Sequence, residues 1–323
     1  MKQQINLRDL STYRSELMGI SISMIMFFHM LGLIAPNRLY PLFHNFDIGV
    51  EFFLAISAIG LYTSLSKNFG IAGFYKRRLI RLFPAYLAIG SLYYIGEKIL
   101  YHHDWYYVFY NISFLSLIKD GKLVYWFVFE ITLCYLLMPY LFRLIKMIGP
   151  RYYLLLSLVV MVVCYLLVEP FITIRIVLHR FPVFCFSLIL AQQVFLGKVY
   201  PLKHILLATV LCLLVLLYAR FSEDSFPLHI RAVYFFSFVP FLICLGHSMN
   251  YIGTRLKTML RFLGSISLEL YLIHESLFRF LRGHHIDLLS SIVLSLVASI
   301  TIAYVLHYTL GIYILRRSSK ILS

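Results

Sequence analysis

Negative charge is scarce in this 323-residue chain: 14 Asp and Glu stand against 29 Lys and Arg, and charged residues of either sign make up 13%. So thin a polar supply cannot clothe a soluble surface. Internal repeats and low-complexity linkers are absent. The five cysteines (Cys134, Cys164, Cys185, Cys212 and Cys244) all fall inside apolar runs. They lack the spacing of metal ligands, so no metal site and no disulfide framework is expected. A net charge of +15 would suit nucleic acid, but 61% hydrophobic residues, against roughly 45–50% for soluble domains, argues against that partner. What the chain has instead is apolar length. Mean hydropathy is +0.84 and is raised throughout, which predicts one membrane domain over residues 1–323 with no soluble appendage. The first apolar run is too long for a signal-peptide core and has no small-residue cleavage pattern, so it reads as a permanent span.

Runs able to cross roughly 30 Å of hydrocarbon fall at 15–36, 48–66, 79–99, 123–145, 152–168, 181–197, 203–220, 231–248, 262–281 and 288–315. A further run, 107–118, is short and suits a re-entrant or interfacial helix. The expected fold is therefore all-α: a polytopic transmembrane bundle of about ten spans plus that short helix. With ten spans and the N-terminus inside, the inner side carries 19 of the 29 basic residues; making 107–118 an eleventh span drops the count to 16. The positive-inside rule thus favours ten spans with both termini cytoplasmic.

Ionisable residues inside such spans are costly and mark function by default. His29 is the one titratable group in the apolar interior of the first span, SELMGISISMIMFFHMLGLIAP. At about 1.5 Å per residue it lies roughly 21 Å from the inner end, and His274 lies roughly 18 Å along the 262–281 span. Glu130, near the outer end of 123–145, comes to roughly 20 Å on a ~30 Å core. Glu269 and Tyr271 share the helix of His274. Three ionisable groups on three helices at one depth predict a polar pocket. Singly, Glu130, Glu269 and His274 read more readily as inter-helix hydrogen bonds; His29 leans towards function. The outer clusters His102–His103–Asp104 and His284–His285 read first as solvated loop ends, and as sugar contacts only second.

The segment Phe74–Tyr86, FYKRRLIRLFPAY, gathers Lys76, Arg77, Arg78 and Arg81 at the predicted inner start of the third span. Arg78 and Arg81 share a helix face, and Pro84 suits a first turn. Anchoring at anionic lipid accounts for the charge. The dominance of Arg over Lys also fits a phosphate-bearing cytoplasmic ligand, because the guanidinium presents a planar fork.

These stretches carry a resemblance to the integral-membrane acyltransferase family 3, which O-acetylates bacterial surface polysaccharides and other carbohydrates. It covers nearly the whole chain. FFH with His29 resembles the family's first helix and its histidine. DIGVEFFLAISA (Asp47–Ala58) is similar to its second-helix pattern, and FYKRRLIRLFPAY to its paired-arginine segment. WFVFEITLCYLLMP (Trp126–Pro139), HRFPVF (His179–Phe184) and GSISLELYLIHES (Gly264–Ser276) resemble three later helices. Two positions differ: Met18 stands where the family commonly has Arg, with Arg14 one turn earlier as a substitute, and Ala58 stands for a Gly.

The resemblance implies acyl-CoA, most often acetyl-CoA, as cytoplasmic donor, with Arg77, Arg78, Arg81 and Arg14 as the residues that bind it. The acceptor it implies is a hydroxyl of a cell-surface or lipid-linked glycan. His29 would be general base, or nucleophile through an acyl-histidine. Glu130, Tyr271 and His274 would complete the catalytic group, and Glu51, Trp126 and Arg180 would contact the acceptor. The expected location is the bacterial inner membrane. Two rivals stand beside this reading. One is a transporter or flippase for a polar metabolite or lipid-linked sugar, which the absence of repeats disfavours. The other is a catalytically silent relative, for which Met18 is the best support.

Overall fold

The structure is a computed structural model, and it describes residues 4–34, 44–68, 70–221, 228–282 and 288–321. The His284–His285 pair lies outside these. Nearly everything described is helical. In chain order the elements are β1 (Gln4–Asn6), α1 (Asp9–Thr12), α2 (Arg14–Ile34), α3 (Gly49–Lys67), α4 (Ile71–Tyr101), α5 (Trp105–Ile112), α6 (Leu115–Asp120), α7 (Trp126–Leu166), α8 (Arg175–Phe195), β2 (Val199–Pro201), α9 (Leu202–Phe221), α10 (Leu228–Ser248), α11 (Thr254–Ser265), α12 (Ser267–Arg282) and α13 (Leu288–Ile321). Among the described residues five helices are long and apolar enough to cross a membrane: Phe46–Lys67, Ile71–Tyr101, Trp126–Leu166, Ile172–Phe195 and Ser290–Gly311. The chain is an all-α membrane protein.

Several boundaries differ from those expected. The third span does not begin at residue 79: α4 starts at Ile71 and runs 31 residues, about 46 Å. Arg and Lys are good helix formers, so the helix carries on through the basic segment, and Pro84 lies in its interior rather than in its first turn. The run 107–118 is two short helices. Asp104 caps the first by accepting from the Tyr107 N–H at 2.8 Å, and Phe114 in a left-handed conformation (φ 62°) separates them. The run 262–281 is likewise divided, between α11 and α12. There the Ser265 and Ser267 hydroxyls donate to the carbonyls of Phe262 (2.7 Å) and Gly264 (2.9 Å), competing with the helical ladder. Within α7, Gly149 (φ 79°, ψ 164°) breaks the helix just before Pro150, a backbone state that glycine reaches without strain.

The chain forms two compact units, each assembled from separated segments. The first takes residues 1–18, 50–69 and 137–261. In it β1 pairs antiparallel with β2, Gln4 opposite Pro201, a ribbon that the apolar patterning did not reveal. α9 packs on α10, and α1 lies on α10. Its buried apolar residues include Leu10, Leu54, Ala55, Ile59, Phe184 and Leu188.

The second unit takes residues 19–49, 70–136 and 262–323. α12 and α13 pack together and both touch α4. Ser291, Ser295, Ser299 and Ala303 recur every fourth residue on α13 and are all buried; small side chains let helix backbones approach closely in a membrane. The short helices are tied to α4 by Tyr86, whose hydroxyl donates to the Ile112 carbonyl at 2.7 Å and whose ring stacks on Phe114 at 5.0 Å.

Candidate active site

His29 lies on α2 and His274 on α12, both in the second unit. Their rings meet edge to edge and nearly coplanar, with centroids 5.1 Å apart and 20° between planes, and His29 Nδ1 is 2.8 Å from His274 Nε2. His274 is completely buried, and its Nδ1 is 2.9 Å from the Leu270 carbonyl, one turn back on its own helix. A carbonyl oxygen only accepts, so His274 Nδ1 carries the hydrogen. In a neutral ring the other nitrogen is then an acceptor. His274 Nε2 therefore accepts from His29 Nδ1–H, and neutral His29 keeps its lone pair on Nε2. The backbone of α12 thus sets the tautomer of α2's imidazole through one intervening ring. Such a nitrogen can take a proton from a hydroxyl.

Tyr271, one turn before His274, accepts from the Phe127 N–H at 3.3 Å, so it links α12 to the start of α7. Its ring is 5.3 Å from that of Phe127 and 6.0 Å from that of His274. Glu130, one turn further along α7, is completely buried and within electrostatic range of Tyr271. Trp126 is buried at the head of the same helix. Four candidates (His29, Tyr271, His274 and Glu130) therefore belong to one unit and converge from α2, α7 and α12.

The arginines of α4 are in that unit too. Arg78 is half-buried, with its Cζ 5.5 Å over the Phe74 ring. Its Nε is buried and has no hydrogen-bond partner among the described residues. Arg77 and Arg81 are exposed and lie within electrostatic range of it. Three like charges on two turns, one with an orphaned donor, make a fit place for phosphate oxygens.

Arg14, Glu51 and Arg180 belong to the first unit. Arg14 lies across Gly60, with its Nε 3.4 Å from the Ile56 carbonyl; a Cβ on Gly60 would sit 2.8 Å from that nitrogen, so a larger residue there would make the guanidinium shift. Glu51 and Arg180, singled out separately, form one ion pair at 3.3 Å with side chains 6% and 14% exposed. Burying both ends makes each dependent on the other.

Sequence reasoning did not find three further pairs. Glu269, also on α12, has Oε1 3.0 Å from Nδ1 of His307 on α13. Glu16 accepts from Arg261 at 2.7 and 3.1 Å, and Asp9 meets His247 at 3.3 Å. The signal available for Glu16 and Arg261 was their opposite charge on the same predicted inner face. Nothing local marked His307. Among the described residues no group of three or more His, Cys, Asp or Glu is placed to hold a metal.

Residues 17–308 match the family model of an acyltransferase domain. No curated protein and no solved structure gives a significant match. The matched stretch takes in both paired histidines, the α4 arginines, Tyr271 and Glu130, and on that coverage the chain belongs to acyltransferase family 3, a family of membrane acyltransferases.

Proposed function

We propose that the protein is a membrane O-acyltransferase that moves an acetyl or related acyl group from cytoplasmic acyl-CoA to a hydroxyl of a cell-surface or lipid-linked glycan. The observation that carries this reading is the hydrogen-bonded His29–His274 pair, with Leu270 directing the lone pair of His29 to Nε2. His29 Nε2 takes the acceptor's hydroxyl proton while the oxygen attacks the thioester carbonyl. The C–S bond breaks and the proton passes to the thiolate, leaving ester and free thiol. His274 is a positioning residue that holds the base in its tautomer. Tyr271 and Glu130 orient the acceptor from the same unit. Arg78 offers its buried Nε, with Arg77 and Arg81 beside it, to the donor's phosphates; Arg14 takes the role of the family arginine. Glu51, Arg180 and Trp126 line the acceptor side. The chain works as one domain, 1–323, crossing the bacterial inner membrane ten times with both termini in the cytoplasm.

The test is acyl transfer by purified protein in vesicles. His29→Ala should lose about 10²–10⁴-fold in rate, the usual worth of a general base. His274→Ala should lose less, and His274→Gln should recover part of it, since an amide oxygen still accepts from His29 Nδ1–H. His29→Ala at normal membrane levels with rate within tenfold of the parent would end the assignment.

A further inference from the structure

Between the C-terminal turn of α3 and the part of α7 just before Gly149 lies an open cleft of about 660 Å³, wholly within the first unit. Lys67 comes from α3, and Arg143 and Lys146 from α7. The latter two are three residues apart and share a face. All three are exposed, and among the described residues no acidic one lines the cleft. The local sequence offers none either: no Asp or Glu occurs between Glu51 and Glu97, or between Glu130 and Glu169. Two helix C-termini contribute about half a negative charge each, which leaves the three cations well in excess. The floor is apolar, with Leu65 and Phe142 each 2% exposed. Lys146 Nζ stands 4.5 Å over the Phe142 ring. The hydroxyl of Ser66, in the wall, is buried and finds no hydrogen-bond partner among the described residues.

The geometry points to a binding site here for the phosphate headgroup of an anionic membrane lipid. Cations from two helices meet the phosphate oxygens, and Ser66 Oγ donates to one of them. A lipid suits the site better than a soluble phosphate because the cleft continues onto apolar surface. Met147 is 75% and Tyr140 66% exposed, and with Arg143 they fall on one stripe of α7 at helical spacing. Acyl chains lying on that stripe carry the headgroup to the cations. The site is built from residues that the transfer reaction does not use, and it joins α3 to α7 through a lipid.

The test uses the full chain in a neutral detergent, with bound lipid counted by native mass spectrometry. A phosphatidylglycerol titration should show one saturable molecule, with phosphatidylcholine binding far more weakly. K67Q/K146Q should weaken phosphatidylglycerol about 25-fold, at roughly fivefold per surface cation, while K67R/K146R keeps it. Ser66→Ala should weaken it severalfold. Equal phosphatidylglycerol affinity in the parent and K67Q/K146Q would overturn the site. Phosphatidylcholine binding as tightly would do the same. Inorganic phosphate that binds as tightly and displaces the lipid would overturn the lipid assignment. Acyl transfer by K67Q/K146Q in lipid vesicles is a separate readout, so a failed site leaves the proposed reaction standing.

Discussion

The Glu16–Arg261 pair should respond very differently to losing one end or the other. Arg261 directs Nη2 (2.7 Å) and Nε (3.1 Å) at the same carboxylate oxygen. The Glu16 side chain is 2% exposed and that of Arg261 63%. Removing the arginine leaves a buried carboxylate with its charge-assisted hydrogen bonds gone, worth about 1.5–3 kcal/mol. Removing the carboxylate leaves a guanidinium already in water, and Glu16→Gln keeps an acceptor, so that change should cost under about 1 kcal/mol. Adding Glu16→Gln to Arg261→Ala removes the stranded charge and should recover at least half of the loss, giving a coupling energy well above the few tenths seen for independent sites. The chain carries its own probe of unfolding: Cys134, Cys164 and Cys185 are buried, so a thiol-reactive dye reports the unfolding temperature in detergent. Arg261→Ala as heat-resistant as the parent, or a double variant no better than Arg261→Ala, would refute the reasoning.

Gly60→Ala should displace the Arg14 guanidinium, because the new Cβ meets three of its atoms within 3.0 Å; these are the far end of a flexible side chain, so the shift should cost at most about 1 kcal/mol and lower the dye-labelling temperature only slightly, whereas a large drop would mean that Arg14 has no other seat. Arg180→Ala strands the buried Glu51 and should destabilise by about 3 kcal/mol, with Glu51→Ala in the same chain restoring part of it; the same assay checks both. His29→Ala and His274→Gln should separate by rate with similar labelling temperatures, whereas His274→Ala, which empties a completely buried site, should also label at a lower temperature.

Counting 1.5 Å per residue put His29 and His274 at nearly one depth, and the structure brings their rings together edge to edge. Depth was legible because helix rise is fixed; which faces meet was not, since that depends on packing. The long apolar helices were visible in hydropathy, but their ends were not. α4 runs eight residues further towards its N-terminus than the hydropathy window, because charge lowers hydropathy without lowering helix propensity. The α11–α12 break rests on two serine hydroxyls turned back onto carbonyls, and a serine in an apolar run carries no mark of which way it will donate. Glu51 and Arg180 were each picked out from separate motifs; that they answer each other is a fact of tertiary structure alone.

The ribbon of β1 and β2 has a consequence for the order in which the protein can assemble. Gln4 emerges from the ribosome well before its partner Pro201, which follows only after α2 to α8 have been made. β1 must therefore wait unpaired while those helices enter the bilayer. Closing so large a loop late is slow, and an unpaired strand edge is open to the wrong partner meanwhile. Its three residues keep that edge short, which limits how much of a stray strand it can capture.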